Sequence, residues 1–215
     1  MIAVIDYGLG NTKSITSALE TVGAQPILTH ESKKIMDCDA LILPGVGSFP
    51  TGVDRLNRLG LISVINDFAH STKPVLGICL GMQLLCESSE EFGHTKGLGL
   101  IKGGVKPLEL AASTSDRLPH VGWSDVHVVK KTVSDAMLFR GVSSGSSMYF
   151  THSFVVKPVD ESQITSTTIY ANDHFCSSVQ DLNIYGCQFH PEKSAINGLK
   201  LMTNFLQLSQ GVEID

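Results

Sequence analysis

The 215-residue sequence contains no apolar run close to the roughly 18 residues that a membrane-spanning helix needs. It also lacks an excess of basic residues, because 16 Lys and Arg stand against 21 Asp and Glu, which gives a net charge of −5 at pH 7. This balance argues against a protein that binds nucleic acid or an acidic membrane surface. The opening residues, M-I-A-V-I-D-Y-G, lack the basic and long apolar stretches of a signal peptide. We therefore expect a cytoplasmic protein.

Paired cysteines are absent as well. The odd set of five cysteines contains no C-x-x-C spacing and consists of Cys38, Cys79, Cys86, Cys176 and Cys187. This pattern favours a reducing compartment and argues against a zinc site, so we expect neither a metal nor another cofactor. With 42% hydrophobic and 17% charged residues, the chain is long and apolar enough for one folded domain, residues 1–215.

The first part of the sequence alternates short apolar runs with helical patterns. Strands are predicted at residues 2–5, 25–28 and 39–43, and helices at residues 12–22 and 53–68. Such alternation is typical of a doubly wound α/β fold, in which helices flank a mostly parallel sheet.

After Glu91 the pattern changes, because glycines cluster and strand-like runs alternate with turns. Further strands are predicted at residues 104–108, 124–130, 147–156, 165–170 and 175–181, with a polar loop at 113–115. These runs predict an antiparallel β layer added to the α/β core. A last buried strand at 184–189 and an amphipathic helix at 199–208 close the sequence.

Cys79 directly follows an apolar strand-like run and lies between Gly77 and Gly81, in the sequence G-I-C-L-G. Two glycines at this spacing permit a sharp strand-to-helix turn that lifts the cysteine out of the sheet. The turn would place the sulfur at a helix N-terminus, which favours thiolate, and would aim the N–H of Leu80 at a developing oxyanion. An isolated cysteine among apolar residues is more often part of the core, so a nucleophile requires a base elsewhere.

The P-G-V-G sequence at residues 44–47 also follows a predicted buried strand. It is therefore expected at the carboxyl edge of the parallel sheet, where α/β proteins form their sites. Its glycines allow backbone N–H groups to approach a ligand. Alone, the segment is equally consistent with an ordinary turn; beside a nucleophile elbow, it is the natural second oxyanion donor.

His190 follows the last predicted strand and supplies a candidate base. Pro191 stiffens the turn after it, and Glu192 comes two residues later. In an extended turn these two side chains lie on the same side, so Glu192 can orient the His190 ring while the other ring nitrogen faces Cys79. The sequence thus predicts a Cys–His–Glu triad. Two alternatives from other functional classes remain. One is a cysteine hydrolase or peptidase, and the other is a non-catalytic binding subunit.

Three motifs, G-I-C-L-G-M-Q, Q-F-H-P-E and P-G-V-G, together resemble those of the class I (triad) glutamine amidotransferases. Further segments are similar to the glutaminase subunits of imidazole glycerol phosphate synthases: D-Y-G-L-G-N, P-G-V-G-S-F, L-P-H-V-G-W, Y-F-T-H-S-F and H-P-E-K-S. This resemblance, from Ile2 to the closing helix, implies hydrolysis of glutamine to glutamate and ammonia for histidine biosynthesis. The partner it implies is a separate β/α-barrel cyclase subunit. Glutaminase subunits for anthranilate, carbamoyl phosphate or pyridoxal phosphate synthesis are the nearest alternative.

The resemblance also implies roles for individual residues. The triad would be Cys79, His190 and Glu192. The oxyanion hole would be Gly47, after a peptide flip at Val46, and the N–H of Leu80. The groups that bind the amino-acid end of glutamine would be Gln83, Glu91 and the backbone at Tyr149 and Phe150. The positions facing the cyclase would be Asn11, His120, Trp123 and Lys193. At this interface the sequence departs from the family at Thr12, where an apolar residue is common, and at Ser124, where asparagine is frequent.

Overall fold

The computed structural model describes residues 1–110, 116–129 and 136–211, and these contain thirteen strands and six α-helices. The strands are β1 (Ile2–Ile5), β2 (Pro26–Thr29), β3 (Ala40–Leu43), β4 (Val75–Ile78), β5 (Cys86–Ser89), β6 (Thr95–Lys96), β7 (Ile101–Pro107), β8 (His120–Val128), β9 (Ser146–His152), β10 (Phe154–Pro158), β11 (Ile164–Tyr170), β12 (Asp173–Asp181) and β13 (Ile184–Cys187). The helices are α1 (Thr12–Thr21), α2 (Ser32–Met36), α3 (Phe49–Arg58), α4 (Leu61–His70), α5 (Leu80–Leu84) and α6 (Ala195–Ser209). The predicted loop at 113–115 and residue 130 of the predicted strand 124–130 lie outside the described residues.

Five parallel strands form the centre of the sheet, in the order β2–β1–β3–β4–β13. Four of them, β1, β3, β4 and β13, are buried at every position, as expected for short apolar strands covered on both faces. Antiparallel pairing begins at β12, and the sheet continues through β10 and β7. The predicted α/β class with a parallel centre and added antiparallel strands is confirmed. The antiparallel strands extend the same sheet instead of forming a detached layer.

Helices cover both faces of the central sheet. Side chains alternate along β1, so that Ile2 and Val4 belong to one apolar cluster and Ala3 and Ile5 to the other. The first cluster includes residues of α1 and α6, and the second includes residues of α3, α4 and α5. Within the described part of the chain, no helix has the length and apolarity needed to cross a membrane.

The prediction of one continuous helix at 53–68 is wrong, because the structure has two helices there. Gly60 adopts a left-handed conformation with φ +65°, which ends α3 before α4 starts at Leu61. The N–H of Gly60 donates to the carbonyl of Asn57 at 3.0 Å and closes the final turn of α3. This is the usual way in which a glycine ends a helix.

The predicted strand at 147–156 is also interrupted. It forms β9 and β10, which are separated by Ser153 and join different neighbours. Strand β9 pairs with β8, whereas β10 pairs with β7 and β12. The chain therefore passes at Ser153 from one branch of the sheet to another. The residues around Ser153 can consequently line a cavity.

Candidate active site

The three sequence motifs meet where neighbouring parallel strands end. Strand β4 lies between β3 and β13, with Leu43 opposite Gly77 and Cys187 opposite Ile78. The P-G-V-G loop follows β3, Cys79 follows β4, and the segment that leads to His190 follows β13. All three consequently lie at the carboxyl edge of the sheet, the usual location of a site in this class of fold.

Cys79 occupies a strained turn between β4 and α5, with φ +53° and ψ −110°. Glycine is required on both sides of Cys79, because a β-carbon at either position would be too close to neighbouring backbone atoms. A β-carbon at Gly81 would lie 1.8 Å from the carbonyl oxygen of Leu43, and one at Gly77 would lie 2.6 Å from the backbone nitrogen of Met82. The helix α5 is only five residues long, but its first N–H groups, including that of Leu80, have no partner within the helix.

Cys79 is 5% exposed, and its sulfur takes part in two hydrogen bonds. Its thiol donates to the backbone carbonyl of Thr151 at 3.7 Å. The side-chain nitrogen Nε2 of Gln188 donates to the same sulfur, also at 3.7 Å. The sulfur is thus held among polar groups at the edge of the core.

His190 and Glu192 form a buried pair beside Cys79. His190 is 1% exposed, and its Nδ1 lies 2.8 Å from Oε1 of the fully buried Glu192 side chain. Burial lowers the pKa of His190, but the nearby Cys79 side chain and the Glu192 carboxylate outweigh burial and raise the pKa to about 10. Nε2 of His190 has no hydrogen-bond partner of regular geometry among the described residues, and the ring interacts electrostatically with the Cys79 side chain. Nε2 therefore remains available for proton transfer.

The loop after β3 approaches Cys79 from the other side. Gly47 has φ +118°, which an L-residue rarely adopts, and it lines the cavity together with Val46. The hydroxyl of Tyr7 donates to the carbonyl of Pro44 at 2.6 Å and fastens the start of the loop. Burial, and then the neighbouring Cys79, raise the pKa of Tyr7, so this hydroxyl remains a donor. Sequence reasoning missed Tyr7, although it lies within the D-Y-G-L-G-N segment.

A cavity of about 230 Å³ opens above the sulfur. Its lining consists of Val46, Gly47, Cys79, Leu80, Gln83, Glu91, Pro119, Thr151, His152, Ser153 and Phe154. Pockets for drug-sized ligands measure roughly 300 Å³ or more, so this cavity suits a smaller molecule such as a single amino acid.

Two of the residues predicted to bind glutamine, Gln83 and Glu91, line this cavity. Nε2 of Gln83 donates to the carbonyl of Phe154 at 2.9 Å and to Oε1 of Gln188 at 3.1 Å. Because both amide hydrogens are thus engaged, only the oxygen of Gln83 is left for a ligand. The N–H of Phe49 donates to Oε2 of Glu91 at 2.7 Å and holds this side chain in place. The Glu91 carboxylate is suited to bind an ammonium group.

Comparison with known proteins agrees with this geometry. The sequence matches the family model described as Glutamine amidotransferase class-I over residues 3–208. The chain belongs to this family.

Two individual relatives and one solved structure are similar to this chain over nearly its full length. The amidotransferase chain is 44% identical over 206 residues to "Imidazole glycerol phosphate synthase subunit HisH" of Sulfurimonas denitrificans, covering 95% of this chain and 97% of that one. It is 42% identical over 203 residues to the protein of the same name from Aquifex aeolicus, covering 94% of each chain. The solved structure titled "Crystal structure of glutamine amidotransferase" shares the fold, with a TM-score of 0.72, 16% identity and coverage of 98% of this chain and 100% of that one.

The predicted backbone contacts at Tyr149 and Phe150 lie outside the amidotransferase cavity. The N–H of Tyr149 donates to Oγ of Ser194 at 3.0 Å, and its carbonyl accepts from the N–H of His190 at 2.8 Å. Phe150 is fully buried and stacks on the ring of His120. The segment from Thr151 to Phe154 lines the cavity instead, because the chain breaks strand pairing at Ser153.

The residues predicted to face a cyclase differ in exposure. Trp123 is 54% exposed and contacts Tyr149 edge to face, and the Lys193 ammonium lies 5.5 Å from the centre of the Tyr149 ring. Asn11 is partly exposed immediately before α1. His120 is only 1% exposed, so its side chain does not lie on the free surface and can influence a partner only through its neighbours.

His120 belongs instead to a buried chain of hydrogen bonds that sequence reasoning missed. The carbonyl of Phe154 requires a donor, so Nδ1 of His152 carries hydrogen, and Nε2 of His152 accepts from Nδ1 of His120 at 3.0 Å. Nε2 of His120 then accepts from the Ser124 hydroxyl at 2.9 Å. Burial is the main reason why the pKa of His120 falls to about 4 and that of His152 to about 3. Both rings are consequently neutral at pH 7.

Metal binding finds no support in the residues that the structure describes. Among them, no group of three or more His, Cys, Asp or Glu side chains is arranged to hold a metal ion.

Proposed function

We propose that this chain is the glutaminase subunit of an imidazole glycerol phosphate synthase, acting in the cytoplasm as one domain of residues 1–215. It hydrolyses glutamine to glutamate and ammonia and passes the ammonia to a separate β/α-barrel cyclase subunit. The observation that carries the proposal is the position of Cys79, between a buried His190–Glu192 pair and a cavity of amino-acid size. The relatives described above bear the imidazole glycerol phosphate synthase name, so anthranilate, carbamoyl phosphate and pyridoxal phosphate synthesis are not favoured.

The first half of the reaction releases ammonia. The Cys79 thiolate attacks the side-chain carbonyl carbon of glutamine, and the negative charge moves to the carbonyl oxygen. The N–H groups of Leu80 and Gly47 stabilise this oxyanion, with Gly47 contributing once the peptide at Val46 has turned. Protonated His190 gives its Nε2 proton to the departing nitrogen. The carbon–nitrogen bond breaks, and a glutamyl thioester on Cys79 remains.

The second half regenerates the enzyme. Neutral His190 takes a proton from water, and the resulting hydroxide attacks the thioester carbonyl. The carbon–sulfur bond then breaks, which frees glutamate and restores the Cys79 thiolate beside protonated His190. Glu192 holds Nδ1 of His190 throughout and balances the charge of the imidazolium. Glu91 and the side-chain oxygen of Gln83 bind the α-ammonium group of the substrate.

The acceptor reaction is assigned to another polypeptide. Residues 1–110, 116–129 and 136–211 are organised around one continuous sheet, and the catalytic edge of this sheet carries a cavity of about 230 Å³. Exposed Trp123 and Lys193 both contact the ring of Tyr149, whose centre lies 6.5 Å from that of the His190 ring. We place the heterodimer contact with the cyclase on this surface, together with Asn11.

Glutamate release by the purified chain, measured with and without the cyclase from the same organism and its nucleotide ligand, tests the proposal. We expect slow turnover by the chain alone and marked stimulation by the complex. Full glutaminase activity in isolation would reject the coupling. Stimulation by an anthranilate or carbamoyl phosphate synthase subunit, but not by the cyclase, would reject the assignment to imidazole glycerol phosphate synthesis.

A further inference from the structure

Gln188 lies between the end of β13 and His190, and its side chain joins the nucleophile to the wall of the cavity. Gln188 is fully buried, and its backbone N–H extends the sheet pairing by donating to the carbonyl of Ser177 at 2.9 Å. Its side-chain oxygen accepts from Nε2 of Gln83, and its side-chain nitrogen donates to the sulfur of Cys79 at 3.7 Å. A buried amide with both ends engaged has little freedom to rotate.

The orientation of this amide follows from the groups behind it. The carbonyl of Phe154 can only accept, so Gln83 must present its nitrogen there, at 2.9 Å. The second hydrogen on that nitrogen points to Gln188, which must therefore present its oxygen. A flipped Gln188 would oppose two donors in a buried place, at the cost of an unsatisfied polar group. The N–H₂ end of Gln188 is thereby fixed towards Cys79.

The two hydrogen bonds at the sulfur act in opposite directions on its charge. The carbonyl of Thr151 accepts from the thiol and repels a thiolate, because both groups are then electron-rich. The N–H of Gln188 gains strength when the sulfur becomes negative, since hydrogen bonds to a charged acceptor are about twice as strong as neutral ones. Of these two contacts, only the one with Gln188 favours the thiolate, the form of cysteine that attacks glutamine.

We infer that Gln188 is a further catalytic residue, whose fixed side-chain N–H donates to the sulfur of Cys79 and stabilises the thiolate before attack and on departure from the thioester. This inference rests on the proposed function, in which Cys79 is the nucleophile. No atom is transferred by Gln188, and the proton of the thiol still goes to His190. Gln83 and the carbonyl of Phe154 act as positioning groups for this donor.

The rate at which iodoacetamide alkylates Cys79 between pH 5 and pH 10, followed by peptide mass spectrometry, tests the inference. In Gln188→Met, which keeps length but removes the N–H, we expect a rate about tenfold lower at pH 7. The half-maximal rate should move to higher pH, and the rates of variant and wild type should converge at the high-pH plateau. Gln188→Glu, which keeps the shape and puts an oxygen against the sulfur, should show a larger displacement in the same direction.

Ser177→Ala is the matched control, because Ser177 is equally buried and its carbonyl, which the substitution retains, accepts from the Gln188 backbone. We expect its alkylation profile to coincide with that of the wild type. An unshifted profile in Gln188→Met overturns the inference. So does a rate reduced by the same factor at every pH, which would indicate altered access to the sulfur. Should Gln188→Met fail to fold, Gln188→Glu decides by the same criterion.

Glutamine hydrolysis by the complex, measured in parallel, separates this inference from the proposed function. If the wild type hydrolyses glutamine and Gln188→Met alkylates like the wild type, only the role of Gln188 is overturned. If the wild type hydrolyses no glutamine with the cyclase while Gln188→Met still displaces the profile, the proposed function fails and the hydrogen bond to Cys79 stands.

Discussion

The backbone of Cys79 directs its sulfur out of the sheet. Its φ of +53° lies in a region that residues with a side chain rarely occupy, at a typical cost of about 1–3 kcal/mol. The surrounding structure holds this conformation through the hydrogen bond from the N–H of Cys79 to the carbonyl of Cys187 at 2.8 Å. Close packing at Gly77 and Gly81 adds to that restraint. An ordinary extended residue here would point into the core instead of the cavity.

Replacing Glu192 by glutamine should reduce glutamine turnover strongly with little change in shape. The amide oxygen can still accept from Nδ1 of His190, but it no longer balances the charge of the imidazolium. We expect the kcat of the complex with the cyclase to fall by about a hundredfold or more. Exposed Glu161→Gln is the control and should leave kcat unchanged. Activity within a few-fold of the wild type in Glu192→Gln would remove Glu192 from the mechanism.

Residues whose role depends on one partner far away in the sequence could not be predicted from the sequence. The pair His190 and Glu192 could be predicted because two positions on one turn bring them together. Tyr7 contacts Pro44, 37 positions away, and Gln83 contacts Gln188, 105 positions away. No local pattern encodes such pairings. The glutamine in Q-F-H-P-E was visible as part of a motif, but the direction of its amide is decided by a carbonyl in another segment.

At the scale of elements, the site depends on how closely α5 approaches the end of β3. The ideal β-carbon position of Gly81 overlaps the carbonyl of Leu43, and that of Gly45 lies 2.8 Å from Cβ of Leu80. Backbone therefore packs directly on backbone where the elbow meets the loop after β3. This packing sets the distance between the N–H of Leu80 and Gly47, the two expected oxyanion donors.

Gly81→Ala should lower the free energy of unfolding by at least about 2 kcal/mol, because the backbone of Leu43 cannot move aside without disturbing the sheet. Urea unfolding measures this change. Gly104→Ala is the matched control, since its β-carbon would sit 3.7 Å from the nearest atoms, at ordinary contact distance. Equal stability of the two variants would show that the elbow is not as tightly packed as described.

Element boundaries could be predicted only where periodicity and backbone conformation agree. Apolar residues continue at helical spacing from Leu56 to Phe68, so the pattern gives no sign of the left-handed turn at Gly60. Leu59, which fits the apolar pattern, is 44% exposed. Similarly, alternation continues through Ser153, although the two halves of that run pair with different strands.

For the molecule as a whole, buried histidines couple stability to pH. His120 and His152 lie in the apolar cluster around Phe150 and Phe175, and their rings are hydrogen-bonded as neutral groups. Their pKa values of about 4 and about 3 lie below the ordinary value of 6.5. Between these values the unfolded chain binds more protons than the folded one, so stability falls as pH decreases.

Urea unfolding at pH 7.5, 6 and 5 should therefore show a declining free energy of unfolding. His152 alone accounts for a loss of roughly 2 kcal/mol at pH 5. The raised pKa of His190 has the opposite sign, since its contribution is complete well below pH 6.5 and is lost as pH rises towards about 10. It therefore offsets part of the decline between pH 7.5 and pH 6 and has little effect between pH 6 and pH 5.

His152→Gln should flatten this acid dependence, whereas exposed His30→Gln should retain it. The same slope in wild type and His152→Gln would mean that other groups cause the loss. The neutral histidine pair would then have no measurable linkage to folding.

The most direct test of glutamine hydrolysis at Cys79 compares two substrates in the complex of Cys79→Ala with the cyclase. Imidazole glycerol phosphate formation from added ammonia should be largely unchanged, because ammonia enters the acceptor site without the thiolate. Formation from glutamine should fall to background. Glutamine-dependent synthesis that persists in Cys79→Ala would contradict the account.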